Sequence, residues 1–208
     1  MEFSIFKETS RWAAAKELNV WAQDSTSSTN DEAKNNAFKT EPFKLFITDE
    51  QTSGRGRGDH TWSNPSKGTS LLSSWSFSLN QSPTDITSLV FGLALFKSLK
   101  ELFPQLDFKV KEPNDLFLED LKIAGILAET ISQGDKFQLV VGLGLNIFSH
   151  PSDVEQAGHL SSKADLTIEK WHLFLDSLYS NFTEASTKCQ SPQLSDQQSH
   201  ELEEAKWH

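Results

Sequence analysis

The sequence predicts an α+β domain: a mixed, largely antiparallel β-sheet with helices packed mainly on one face. Three observations predict it. Between residues 108 and 147, apolar runs of strand length follow one another with only turn residues between them. On either side of that cluster, residues 84–103 and 166–182 carry apolar side chains at helical spacing. Finally, 15 Phe and 6 Trp give the 208-residue chain bulk for one sizeable core, although only 37% of residues are hydrophobic.

In chain order, Thr9 or Ser10 can cap a short helix through residue 18, followed by a short strand over Val20–Gln23. Residues 27–30 read as a polar turn leading into a helix through residue 37. Leu45–Thr48 suits a buried strand, and residues 52–67, rich in Gly, Ser and Asn, form a long loop of the kind that carries function. A strand is expected over 71–79. The helix over 84–103 places Ile86, Leu89, Val90, Leu93 and Phe96 on one stripe and is stopped by Pro104. Strands follow over Phe108–Lys111, 116–118, 123–131 and 137–147, with Gly134-Asp135 closing a hairpin. A helix over 166–182 packs on the sheet. Residues 1–185 read as one domain, and residues 186–208 as a polar extension with one last helix.

Composition excludes several classes. A formal charge of −10 argues against a nucleic-acid surface, which needs a positive field to replace counterions. The single cysteine, Cys189, allows no internal disulfide, and the acidic start lacks a signal peptide's pattern. No apolar stretch is long enough to span a bilayer as a helix, so no membrane partner is expected and the cytoplasm is the default location.

Four segments can carry chemistry. Gly54-Arg55-Gly56-Arg57-Gly58 combines a backbone that can approach a ligand closely with two planar cations suited to phosphate or carboxylate. The same letters also fit a solvated surface loop, and they match neither a Walker loop nor a dinucleotide fingerprint. Lys111-Glu112-Pro113-Asn114-Asp115 precedes Lys122-Ile123-Ala124-Gly125-Ile126, where Lys122 is a lone charge opening an apolar strand. By itself it reads equally as a strand-edge lysine reaching solvent, and Asn114 and Asp115 as turn residues. Gly142 and Gly144 interrupt a buried strand, marking a bulge or a close approach, and Asn146 ends it as a cap or a ligand contact. Ser28-Thr29-Asn30 can be a simple helix cap.

Taken in order, Ser-Thr-Asn, Gln51 ahead of Gly-Arg-Gly-Arg, Pro-Asn-Asp, Lys-Ile-Ala-Gly-Ile and Gly-Leu-Gly-Leu-Asn resemble the biotin–protein ligase catalytic domain over about residues 15–150. The resemblance implies the class II aminoacyl-tRNA synthetase/biotin synthetase-like fold. It implies that biotin is activated with ATP and Mg²⁺ to biotinyl-5′-AMP, then transferred to a lysine of a biotin carboxyl carrier domain. It places Ser28, Thr29, Asn30 and Gln51 around biotin, and Arg55, Gly56 and Arg57 in a loop over biotin and phosphates that orders on binding. Lys122, with Gly125 in its motif, falls between carboxylate and α-phosphate. Asn114, Asp115 and Asn146 fall near the nucleotide. Arg55, Arg57 and Lys122 are the expected catalytic cations, no residue is singled out as a metal ligand, and a monomer or homodimer is expected.

The chain departs from the family pattern at three points. Glu112 replaces a customary Trp, Asp59-His60 replaces a glycine and a basic residue, and neither an N-terminal DNA-binding module nor the C-terminal β-barrel is expected. The alternatives on this scaffold are a lipoate ligase or octanoyltransferase, and a binding protein without catalysis.

Overall fold

The computed structural model describes residues 3–39 and 44–207. Its strands are β1 (Val20–Gln23), β2 (Leu45–Thr48), β3 (Ser70–Leu79), β4 (Phe108–Lys111), β5 (Asp115–Leu118), β6 (Leu121–Gln133) and β7 (Lys136–Asn146). They form one sheet in the order β1-β2-β3-β7-β6-β5-β4. The β1–β2 pair is parallel and the other strand pairs are antiparallel, as expected. The helices are α1 (Ile5–Ala15), α2 (Thr29–Asn35), α3 (Thr87–Leu102), α4 (Ile168–Lys188) and α5 (Asp196–Ala205).

Alternation along β7 sets the two faces of the sheet apart. Leu139, Val141, Leu143 and Leu145 point into the main core, where α1, α3 and α4 cover the sheet. Aromatic rings fill that layer: Phe182 meets Trp75 at 5.7 Å and Phe91 at 5.0 Å, both edge-on. Cys189 belongs to the same core, and burial pushes its thiol up to about 11, which makes it packing material and a poor nucleophile. The opposite face of β7 carries Val140, Gly142, Gly144 and Asn146. Of the described helices, α2 packs there, seating Ala33 against Phe46 and Val140.

Several boundaries differ from expectation for physical reasons. The first helix starts at Ile5, because Ser4 accepts from the Lys7 amide. Thr9 and Ser10 bond back to the carbonyls of Ile5 and Phe6, as interior residues do. Thr84 lies ahead of α3 and is tied by its amide and hydroxyl to the Cys189 carbonyl. The boundary expected at 185/186 falls inside α4. Beyond it, Leu202 and Ala205 of α5 join the core, and Trp207 stacks on Phe117 at 4.2 Å, so residues 186–207 are part of the same packing unit. His208, the end of the expected last helix, lies outside the described residues. The hairpin at Gly134 is as expected, with φ of +60°.

Candidate active site

A cavity of about 660 Å³, within the usual range for a small-molecule site, opens on the sheet face that α2 covers only in part. Its floor exists because β6 and β7 carry glycines at positions that face it. Gly125 and Gly144 are cross-strand partners. A Cβ on Gly144 would lie 2.4 Å from the Trp62 ring, and one on Gly142 would lie 2.4 Å from Asn30 Oδ1. The interrupted strand thus marks a close approach by two side chains.

One wall is the start of α2. The Thr29 amide at the helix N-terminus is capped from outside the helix, by Gln51 Oε1 at 2.8 Å, and Ser28 makes no side-chain cap bond. The helix-cap reading of Ser28 therefore gives way to a cavity-wall position, with Ser28, Thr29 and Asn30 all buried. The Ser74 hydroxyl donates to Asn30 Oδ1 (2.5 Å) and lies 2.7 Å from Thr29 Oγ1, while Asn30 Nδ2 donates to Glu129 Oε2 at 2.7 Å. Such a network holds polar atoms in fixed directions.

The glycine–arginine segment forms a small hairpin. Arg55 pairs with Thr61, Gly56 N–H donates to the His60 carbonyl and Trp62 N–H to that of Gly54. Trp62 closes it by lying over Gly125 and Gly144, and its indole N–H is buried without a partner, a donor that a polar ligand would satisfy. Arg57, Gly58, Asp59 and His60 form the exposed tip and line the cavity. Arg55 is engaged instead by Asp31 and Glu129.

Lys122 reaches the cavity through a β-bulge. Leu116 pairs with Ala124, but Phe117 pairs with Lys122, so Ile123 is the extra residue. Ile123 and Ala124 both enter the core, and Lys122 is turned onto the same face as Gly125. The flanking chain holds its backbone: Lys122 N–H donates to the Gln156 carbonyl and Gly158 N–H to that of Lys122. Its ammonium lies 2.7 Å from Asp115 Oδ1, off the line of a hydrogen bond, so the attraction is Coulombic. Asn114 clasps β6 through its amide, which donates to the Ile126 carbonyl.

Of the residues expected at the site, Ser28, Thr29, Asn30, Gln51, Arg55, Gly56, Arg57, Asn114, Asp115, Lys122 and Gly125 line this one cavity. Asn146 does not. It is buried beside it, with Nδ2 donating to the Gly158 carbonyl, and serves to anchor the segment that pins Lys122. Glu112 is exposed, 4.0 Å from Lys206 and outside the cavity, so the departure there leaves the wall untouched. Sequence reading missed Glu129, Asp31 and Lys34. The available signal was a lone acid at an alternate position of β6, on the same face as Gly125.

Glu129 has a pH signature. Burial works to raise its pKa, but hydrogen bonds from Lys34 and Asn30, with the nearby charges of Lys34 and Arg55, prevail and hold it below the ordinary 4.5. A carboxyl depressed in the folded state contributes stability fully present above its unfolded pKa and lost as pH falls through the folded one. Urea midpoints should therefore decline below about pH 4.5, and Glu129→Gln should flatten that decline. Equal acid slopes in both proteins would refute the assignment.

Residues 22–146 match the model of the biotin/lipoate A/B protein ligase family, and the chain belongs to that family. Its relatives include the chloroplastic biotin–protein ligase 1 of Arabidopsis thaliana, 34% identical over 58% of this chain and 34% of that protein. Another is the bifunctional ligase/repressor BirA of Escherichia coli, 40% identical over 49% of this chain and 32% of that protein. The chain thus matches about a third of the length of these curated relatives. Among solved structures, the Aquifex aeolicus biotin protein ligase in complex with biotin and ATP superposes with a TM-score of 0.64 at 26% identity, covering 83% of this chain and 72% of that one. The Leishmania major enzyme in complex with biotinyl-5-AMP shares the fold, with a TM-score of 0.68 at 20% identity over 90% of this chain and 81% of that one.

Proposed function

We propose that this chain carries the catalytic domain of a biotin–protein ligase, which joins biotin to AMP from ATP and passes the biotinyl group to a carrier lysine. The observation that carries the reading is the bulge that aims Lys122 across one cavity from Thr29, Asn30 and Arg57. A carboxylate and a triphosphate repel each other, and an ammonium fixed between them offsets the charge that grows as they react. The biotin carboxylate oxygen attacks the α-phosphorus, the P–O bond to pyrophosphate breaks, and pyrophosphate leaves. A carrier lysine amine then attacks the acyl carbon, AMP leaves, and the amine gives up its proton. Trp62 and the hairpin tip keep water from the mixed anhydride meanwhile. Asp115 balances Lys122 and holds its ammonium at the wall.

Mg²⁺ fits as an ion that arrives with ATP, since it takes one or two protein carboxylates and completes its shell with phosphate and water. Asp115 supplies one such oxygen donor. Among the described residues, no group of three or more His, Cys, Asp or Glu could hold a resident metal. The partner in the second step is a carboxylase's biotin carboxyl carrier domain, met by a monomer or homodimer in the cytoplasm. No described helix is long and apolar enough to cross a membrane, and the charge of −10 disfavours nucleic acid.

The test is exchange of labelled pyrophosphate into ATP, run with biotin and with lipoate. Exchange with biotin is expected. Exchange with lipoate alone would move the protein to the lipoate branch of the family, and none with either would leave a binding protein.

A further inference from the structure

Arg55 would be expected to point a cation at a ligand, yet its guanidinium is already taken. Nη2 lies 2.7 Å from Asp31 Oδ1 and 3.0 Å from Glu129 Oε2, and Nη1 lies 3.3 Å from Glu129 Oε1. Lys34 bridges the same two acids, at 3.0 Å from Asp31 and 2.9 Å from Glu129. Two cations and two anions thus form a closed, neutral square that joins α2, β6 and the root of the hairpin. Glu129 is its hub. Its two oxygens accept from Arg55, Lys34 and Asn30, which uses about all the acceptor sites a carboxylate has.

The position of this square matters more than its charge count. Asn30, from the α2 wall, seats its side chain on the cavity floor at Gly142 and is buried against Ser74. Arg55 sits where the hairpin leaves the body of the protein, paired with Thr61. One carboxylate therefore fastens the floor of the pocket and the root of its cover to each other. A hairpin hinged at Arg55 cannot lift without separating that guanidinium from both acids, and a carboxylate this engaged cannot shift without disturbing Asn30. Exposed ion pairs contribute little singly, but a shared, half-buried network with charge-assisted hydrogen bonds holds geometry better.

We propose that Glu129 is a positioning residue that latches the hairpin root to the pocket floor, acting through Arg55 and Asn30, and so sets how long the activated intermediate is retained. The last clause rests on the function proposed above; the latch itself does not. Glu129→Gln keeps the shape, removes the charge and turns an amide donor toward the donors of Arg55, Lys34 and Asn30.

The experiment has two arms, each run on wild type, Glu129→Gln, Arg55→Ala and the double variant. Without ligand, hydrogen exchange of the peptide spanning Gly54 to Trp62 should quicken about tenfold in either single variant, and in the double by clearly less than the two effects combined, because both remove the shared Arg55–Glu129 contact. Unchanged exchange, or single effects that add, would overturn the latch. With biotin and ATP, Glu129→Gln should release the adenylate about tenfold faster and raise the biotin KM by a similar factor, with the change in KM exceeding that in kcat. A loss confined to kcat would overturn the positioning role. If wild type takes no biotin, the functional reading falls while the exchange arm still decides the latch. Arg55→Ala alters an exposed side chain, so it remains informative should the Glu129 variant fold poorly.

Discussion

Lys122→Ala is expected to lower biotin-dependent ATP–pyrophosphate exchange by about a hundred- to a thousandfold, the scale on which loss of one preorganised charge-stabilising group is felt. Two effects act together. The charge that offsets the approach of carboxylate to phosphate is gone. Asp115, 2.7 Å from that ammonium in wild type, is left uncompensated in the cavity wall. The fold should survive, because Lys122 is held by its backbone and its side chain is partly exposed. Adding Asp115→Asn should restore part of the ground-state binding and little of the rate, which separates the two effects. Exchange within threefold of wild type in Lys122→Ala would sink the assignment.

The second large effect comes from a residue without a side chain. Gly142→Val should weaken biotin binding by about a hundredfold or more and lower stability by about 3 kcal/mol. The first added carbon already overlaps Asn30, at 2.4 Å from Oδ1 and 3.1 Å from Cγ, before any branching. Asn30 cannot step aside cheaply, because Ser74, Glu129 and the Leu127 carbonyl hold its amide in a buried pocket. Displacing it strands those partners, and each unsatisfied buried group costs about 1–3 kcal/mol. Biotin titration calorimetry and urea unfolding read the two losses. A valine variant with wild-type affinity would mean that Asn30 does not shape the pocket.

Where the structure departs from a reading of the local sequence, a distant partner competes with a local preference. Ser28 holds the N-cap position of α2 but its side chain makes no cap bond, and the Thr29 amide is satisfied by Gln51, 22 positions further along the chain than Thr29. Thr9 and Ser10 look like helix starts, yet Ser4 caps first and the helix runs through them. Arg55 carries the same charge as Arg57, and nothing nearby in sequence says that Asp31 and Glu129 claim one and leave the other at the tip. The domain boundary was drawn on polarity, while α5 buries only a thin apolar stripe through Leu202 and Ala205.

Sequence by itself determined β1, β2 and β4 to the residue, the long helix α3 within three residues at its start, and the order of the motifs that meet in the cavity. These rest on period, turn chemistry and residue type, which are local properties of the chain. Only the tertiary structure decided which way those motifs point. A one-residue bulge turned Lys122 from the core to the cavity, and cross-strand register set Gly125 beside Gly144 beneath Trp62. The physical reason is that side-chain direction in a sheet reverses with a single step of register, and register is settled by the neighbouring strand.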